Sequence, residues 1–288
     1  MKNYKGKRFA DKNYSKDIKN KKKQLSKEQK DTNNINKNKK KSGILFNLIT
    51  IVCIIAIIFS LYNIFNWIID NRNNNSLLSD IHEQTHITQE QVSVDGTNIN
   101  KLHYDFTNLL SYNKNTVGWI HMQNSNIDYP VVRYTDNDYY LNHSFNNTEN
   151  TAGWVFADYR NKCDNSDYNT VIYGHNRKDK SMFGSLKNVL EADWYSNEEN
   201  LYINFSTLNE NHVYKIFSTF VCNDKDVSSY LQTNFSSKEE FNLYIQKLKN
   251  TSSHNFDINL DDTEQIITLY TCYGLNNQRL LVCAKLVD

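Results

Sequence analysis

The sequence predicts a mainly β domain, an eight-stranded β-barrel with N-terminal helices and one inserted helix, carried behind a single transmembrane helix. Three observations predict it. Eight short runs rich in β-branched and aromatic residues (117–122, 127–133, 154–158, 169–174, 201–205, 212–222, 265–271 and 279–287) follow one another with few helical stretches between them, the pattern of a closed or nearly closed barrel. One amphipathic helical pattern interrupts the series after the sixth run. Far upstream, residues 44–69 form a stretch of 26 residues without a single charge, dominated by Ile, Leu and Phe.

In chain order, a basic tail comes first (1–43). Residues 1–41 carry 16 basic against four acidic residues, a net +12, while the remainder carries 17 against 28, a net −11. With almost no apolar side chains, the tail is expected to lack fixed structure. The apolar run at 44–69 is longer than the roughly 20 residues that span a bilayer core, and Tyr62 and Trp67 stand toward its far end, where amphipathic rings favour the interface. It is too long for the apolar part of a cleaved signal peptide, and no small-x-small site follows. The positive-inside bias then places the tail in the cytoplasm and everything after residue 69 outside. The lysines thus determine topology and touch anionic headgroups, and an acidic outer domain makes nucleic acid an unsuitable partner.

Residues 70–107 are polar with scattered helical spacing and read as an extracellular linker with helices. Within them, His82-Glu83-Gln84-Thr85-His86 fits H-E-x-x-H, which on a helix sets two imidazoles on one face for zinc. No third ligand lies in a recognisable motif and the segment is a polar one, so a surface helix is the better reading; neither a metal nor a cofactor is expected. The β domain covers 108–288. Its inserted helix begins at Ser236-Ser237-Lys238-Glu239, read as an N-cap serine with Glu three residues on. Phe241, Tyr244, Ile245 and Leu248 then form an apolar stripe at i, i+3, i+4, i+7.

Chemistry concentrates at two strand ends. Ile266 to Thr271 alternates as a strand and delivers Cys272 at its end, before the turn-like Gly274-Leu275-Asn276-Asn277. Arg279 opens the next strand, whose Leu280, Val282, Ala284 and Leu286 share a face. A hairpin of this kind brings a guanidinium beside a thiol and favours the thiolate. Asn169 to Tyr173 is a further apolar strand, and Gly174-His175-Asn176 follows it, leaving His175 free to point into a cleft. Of the other cysteines, Cys53 lies in the apolar run, Cys222 and Cys283 fall within strands as small buried residues, and Cys163 falls in a polar loop that exposes it; their spacing matches no disulfide framework.

Together these stretches resemble the sortases, the cysteine transpeptidases of Gram-positive cell walls, and class B in particular. Thr268-Leu269-x-Thr271-Cys272 resembles the signature around the nucleophile, and Arg279 the family arginine. Tyr173-Gly174-His175-Asn176 with Ser181-Met182-Phe183 resembles the histidine region. Ile127 to Val132, Asn137 to Leu141 and Phe156 to Arg160 match in the same order. The resemblance implies a sortase-type barrel, a thioester on Cys272, proton transfer by His175 and oxyanion or substrate binding by Arg279. It implies substrate contacts at Asn137, Leu141, Tyr173, Tyr230 and Thr271. The implied partners are secreted proteins bearing a sorting motif, and peptidoglycan or its lipid-linked precursor. Tyr270 departs from the pattern, since the family often has Ser there, and Tyr273 stands where a polar residue is common; a ring at Tyr270 narrows the expected groove. Two other functions fit the same residues. A Cys-His peptidase would hydrolyse without transfer, but the papain-type order is reversed here, with the Cys late and the His early. A catalytically silent, membrane-tethered binding module would need no reactive thiol at Cys272.

Overall fold

The structure, a computed structural model, describes residues 6–164, 166–274 and 277–288; residues 1–5 of the basic tail and Leu275 and Asn276 of the turn after Cys272 lie outside them. The chain divides into two compact units, Met1–Asn66 and Trp67–Asp288. Helix α1 (Gly6–Gln84) occupies the first unit and contributes its last turns to the second. The tail, expected without fixed structure, is helical from Gly6: Lys, Gln and Glu are good helix formers, and neither Gly nor Pro interrupts residues 7–42. From Phe46 onward α1 holds a window long and apolar enough to cross a membrane. Its Phe46, Ile55, Ile58 and Phe65 side chains are all exposed, so this part of the helix is apolar on every side, as a candidate membrane span must be.

The second unit corrects the reading of residues 70–107. Helix α1 persists to Gln84, and Leu77 and Ile81 enter the barrel core. A β-hairpin follows, β1 (Ile87–Val94) and β2 (Thr97–Tyr104), where helices were expected. Its two-residue turn is Asp95-Gly96, with φ of 50° and 82°, the left-handed backbone that a tight hairpin demands and that Asp and Gly tolerate. Helix α2 (Thr107–Tyr112) leads into the barrel.

The eight expected strands are present: β3 (Thr116–Met122), β4 (Asp128–Val132), β5 (Phe156–Ala157), β6 (Asn169–Tyr173), β7 (Tyr202–Thr207), β8 (Asn211–Asn223), β9 (Ile266–Tyr273) and β10 (Gln278–Leu286), with the one-turn helix α3 (Ala192–Tyr195) before β7 and α4 (Lys238–Thr251) between β8 and β9. They close in the order β10-β8-β7-β3-β4-β5-β6-β9. Neighbours are antiparallel except β4 with β5 and β6 with β9. Closure leaves no free edge in the barrel, which removes the commonest route to strand-mediated aggregation.

Helix α4 decides which side chains of the barrel stay covered. Its N-cap is Ser237, one residue later than Ser236: the Ser237 hydroxyl accepts from the Glu240 N–H at 3.2 Å, and Glu240 accepts in turn from the Ser236 N–H at 2.6 Å. Phe241, Tyr244, Ile245 and Leu248 are buried against Phe217, Phe220, Leu281 and Cys283 on the outer face of the sheet. At about 1.5–3 kcal/mol per fully buried large apolar side chain, this stripe holds the helix without help from its exposed face. The inner face packs separately, through Ile267, Leu269, Leu280, Val282 and Ala284 with Trp119 and Ile120. Along β9, even-numbered residues therefore face α4 and odd-numbered residues face the barrel interior.

Candidate active site

Past the edge of α4 that alternation exposes the thiol. Ile266 is buried in the α4 cluster and Tyr270 is half-buried, whereas Cys272, next on the same face, is exposed. Strand pairing sets Arg279 of β10 directly opposite Cys272, so both side chains stand on one face of the sheet. Pairing on the other side of β10 sets Cys222 of β8 against Arg279, and this cysteine is half-buried rather than buried. Strand β6 runs parallel to β9 with Tyr173 beside Tyr270. The pairing extends one residue beyond the strand, because the Gly174 N–H donates to the Tyr270 carbonyl at 3.2 Å and the Thr271 hydroxyl to the Gly174 carbonyl at 2.6 Å. His175 follows this contact, just beyond the end of β6 and at the same end of the parallel pair as Cys272 on β9.

His175 is oriented by a loop rather than by another side chain. Its Nε2 lies 2.7 Å from the Leu141 carbonyl, which can only accept, so Nε2 carries a proton and Nδ1 is the nitrogen left for chemistry. Gly153 lies against the same ring with φ of 60°; a Cβ there would fall 2.6 and 2.7 Å from the Tyr140 and Leu141 carbonyls and 2.9 Å from His175 Cδ2. The end of α1 ties this loop down: Asp70 accepts from the Thr151 N–H and hydroxyl at 3.0 and 2.6 Å, Asn74 donates to the Gly153 carbonyl at 3.2 Å, and Asn71 accepts from Arg177. A cavity of about 480 Å³ opens beside His175, lined by Trp67, Thr151 and Asn176 to Lys178. Replacing Gly153 with Ala is expected to cost about 1–2 kcal/mol in backbone strain alone, lowering the melting temperature. It displaces His175 as well, so the reaction slows by about tenfold for each 1.4 kcal/mol of lost alignment. A variant with unchanged turnover and melting temperature would remove Gly153 from the His175 cradle.

Arg279 is held at three points. Its Nε donates to the Tyr270 hydroxyl oxygen at 2.6 Å, Nη1 to the Gln278 carbonyl at 3.0 Å, and Nη2 pairs with Asp224 at 2.9 Å. Burial raises the Tyr270 pKa against the pull of Arg279, so the phenol stays protonated and acts as a neutral acceptor. Among the described residues, three of the five guanidinium N–H groups are engaged, and one remains on each terminal nitrogen. An exposed thiol, an imidazole with one free nitrogen and a fixed fork with two free donors are the parts of an acyl-transfer site.

Comparison with known proteins agrees with that chemistry. The Sortase domain profile matches residues 120–287, more than half of the chain. The chain belongs to the sortase family. It is 32% identical to sortase B of Listeria monocytogenes over 230 residues, covering 76% of this chain and 87% of that one, and 31% identical to sortase B of Staphylococcus aureus over 185 residues, covering 63% and 74%. Among solved structures, sortase B of Bacillus anthracis superposes with a TM-score of 0.63 at 31% identity, covering 77% of this chain and 99% of that one. A mutant form of Clostridium perfringens sortase B gives 0.60 at 35% identity, covering 63% and 85%. The chain is a cysteine transpeptidase of the sortase B type, on the eight-stranded barrel of those structures.

The remaining residues singled out in this sortase sequence are placed as follows. Leu141 is exposed and sits at the His175 cradle through its carbonyl. The Tyr173 ring meets Tyr270 edge-on at 5.0 Å, and its hydroxyl donates to Asp158 at 2.7 Å. Asn137 donates to the same carboxylate at 3.1 Å and accepts from the Tyr159 N–H at 3.0 Å, so both ends of its amide are engaged. Burial alone would raise the Asp158 pKa, but two hydrogen bonds from Arg160 and the Tyr173 hydroxyl outweigh it and hold the carboxyl below its ordinary value. Tyr230 packs on Phe220 and lies under Lys247, 4.3 Å from its ring centroid. Thr271 is 1% exposed on the inner face, and its hydroxyl holds the Gly174 carbonyl, which positions the strand end before His175.

His82 and His86 do not form a metal pair. Helix α1 ends at Gln84, which breaks the one-face spacing, and His82 Nε2 approaches the Asp128 carbonyl at 3.3 Å while its ring meets Trp119 edge-on. Cys163, expected in an exposed loop, is buried at 6% exposure, and burial pushes its thiol up to about 12. Cys283 is fully buried as expected. A hollow of about 970 Å³ lies at the far ends of β8 and β10, where Lys215 and Lys285 are already paired with Asp95, Glu198 and Asp262. Its lining includes none of Cys272, His175 and Arg279. Sequence reading missed Gly153 and Asp224, because both reach the site through tertiary contacts that no local pattern announces.

Proposed function

We propose that this sortase is anchored by residues 44–69 with its catalytic domain outside the cell, and that it joins secreted proteins to the cell wall. It cleaves a sorting motif near the C-terminus of a secreted protein and passes the acyl group to an amine of peptidoglycan or its lipid-linked precursor. What supports this best is Arg279 standing opposite Cys272 across β9 and β10, with the end of β6 that leads into His175 tied to the strand that carries Cys272. Cys272 sulfur adds to the substrate carbonyl, and the resulting oxyanion is met by the free donors of Arg279. The carbon–nitrogen bond then breaks, the proton that His175 Nδ1 took from the Cys272 thiol passes to the departing amine, and a thioester remains on Cys272. The incoming amine loses a proton to His175 as its nitrogen bonds to the acyl carbon and the thiolate leaves. Water competes poorly as an acceptor. Leu141 and Tyr173 line the groove beside these groups, and Asn137 and Tyr230 border it.

The test uses the full chain in detergent with a library of sorting-type peptides and an amine acceptor, read by mass spectrometry. A thioester confined to Cys272 and a ligated product are expected. Hydrolysed peptide without ligation would assign a peptidase, and a Cys272 that neither acylates nor alkylates would assign a binding module. Topology has its own measurement. Because the tail is strongly cationic and residues 44–69 are uncharged, protease added to intact protoplasts should remove the catalytic domain and spare the tail. Protection of that domain would overturn the orientation.

A further inference from the structure

We propose that Tyr270 is a positioning residue for Arg279, and that its hydroxyl, rather than its bulk, is what the reaction uses. This rests on the acyl-transfer reading above. Tyr270 stands two residues before Cys272 on the same face of β9, half-buried, with its oxygen 2.6 Å from Arg279 Nε. Its ring is fixed from the other side by Tyr173 at 5.0 Å, and Tyr173 is anchored through its hydroxyl to the buried Asp158. Asp158 is in turn gripped by Arg160, whose Nη2 also donates to the Leu231 carbonyl. A continuous series of contacts thus runs from the buried Asp158 carboxylate, paired with a partly exposed Arg160, to the guanidinium.

The geometry decides what that series does. A guanidinium rotates about its bond to Cδ and along a flexible stem unless Nε is held. Asp224 holds a terminal nitrogen, but its carboxylate is half exposed and on a surface turn, and such pairs contribute little by themselves. The Gln278 carbonyl belongs to the preceding residue and moves with Arg279. Among the described residues Tyr270 is the one hydrogen-bond partner of Nε, and it belongs to a neighbouring strand whose own register fixes Cys272. Holding Nε from β9 therefore locks the two free donors relative to the sulfur, because nucleophile and anchor share a strand. A ring at this position does not merely narrow the groove; it sets where the fork points.

Tyr270→Phe removes the hydroxyl and keeps the ring against Tyr173. In the full chain in detergent, we expect kcat for transfer to fall about 10- to 100-fold, the range of a hydrogen bond to a charged group, with KM changed little and the alkylation rate of Cys272 retained. Combined with Arg279→Lys, the loss should not exceed that of Arg279→Lys alone. A double variant whose losses multiply would show that Tyr270 acts independently of Arg279 and overturn the proposal. A second measurement does not depend on turnover: the Arg279 Nε–H signal in NMR, identified by its disappearance in Arg279→Lys, should exchange with solvent faster in Tyr270→Phe and in Tyr270→Ser. Unchanged exchange in both variants would refute the positioning role even if turnover fell. Absence of any thioester in the unmodified chain would instead refute the acyl-transfer reading, while the exchange measurement still decides the contact.

Discussion

Replacing His175 with Ala lowers the transfer rate by about 10²–10⁴, the scale of a lost general acid–base group, and leaves the fold intact. The fold survives because the side chain makes its one hydrogen bond to a loop carbonyl and lies outside the apolar clusters. The loss falls on both halves of the reaction, since the departing amine needs a proton and the incoming amine must lose one. The control is the His82→Ala, His86→Ala double variant, which should keep its transfer rate. It should lose about 1 kcal/mol of stability where His82 reaches the Asp128 carbonyl. Rapid-quench measurement of thioester formation and ligation separates the steps. An active His175→Ala variant beside an inactive double variant would mean that the wrong histidine has been assigned.

The barrel was legible because its strands are buried on one or both faces, so each carried either alternation or a continuous apolar run. Phe241, Tyr244, Ile245 and Leu248 announced α4 for the same reason: a stripe that must be buried is written at helical spacing. The hairpin of β1 and β2 was not legible by that rule. Most of its side chains are exposed or half-buried, and only Val94, Ile99 and Tyr104 are fully covered, so no periodic apolar signal marks it. Its one strong local sign was Asp95-Gly96 between two polar runs. The helical tail went unread because charge and low hydrophobicity describe solvation, whereas helix propensity depends on the absence of Gly and Pro.

Within the candidate site, strand ends pointed to Cys272, His175 and Arg279, because each is a polar, reactive residue at or just past the end of an apolar strand. What the sequence could not show is how those three are aimed. Gly153 reaches His175 from 22 residues away, and Asp224 reaches Arg279 only because β8 pairs with β10. Thr271 shows the converse: next to Cys272 in sequence, its side chain lies on the other face of the sheet, because neighbours in a strand face opposite ways. Adjacency along the chain was a poor guide to adjacency in the groove. Register was the better one.

Register also frames the test of Arg279, where charge and geometry separate. Arg279→Lys keeps the positive charge opposite Cys272. If the charge alone matters, through its field on the thiol, the Lys variant should transfer acyl groups at a near-normal rate. The structure favours a different use. The guanidinium engages Tyr270, Gln278 and Asp224 with three different nitrogens and still offers a donor on each terminal one. An ammonium has three hydrogens on a single atom, so it cannot meet those anchors and an oxyanion along separate directions. Asp224 would also draw the ammonium toward the surface turn, away from the sulfur. The expected result is therefore a loss on the order of 10²–10³ in transfer, the scale of one missing oxyanion donor, with alkylation of Cys272 by a small reagent retained. Near-normal ligation by the Lys variant would leave Arg279 only an electrostatic role, and normal ligation by Arg279→Ala would remove it from the site.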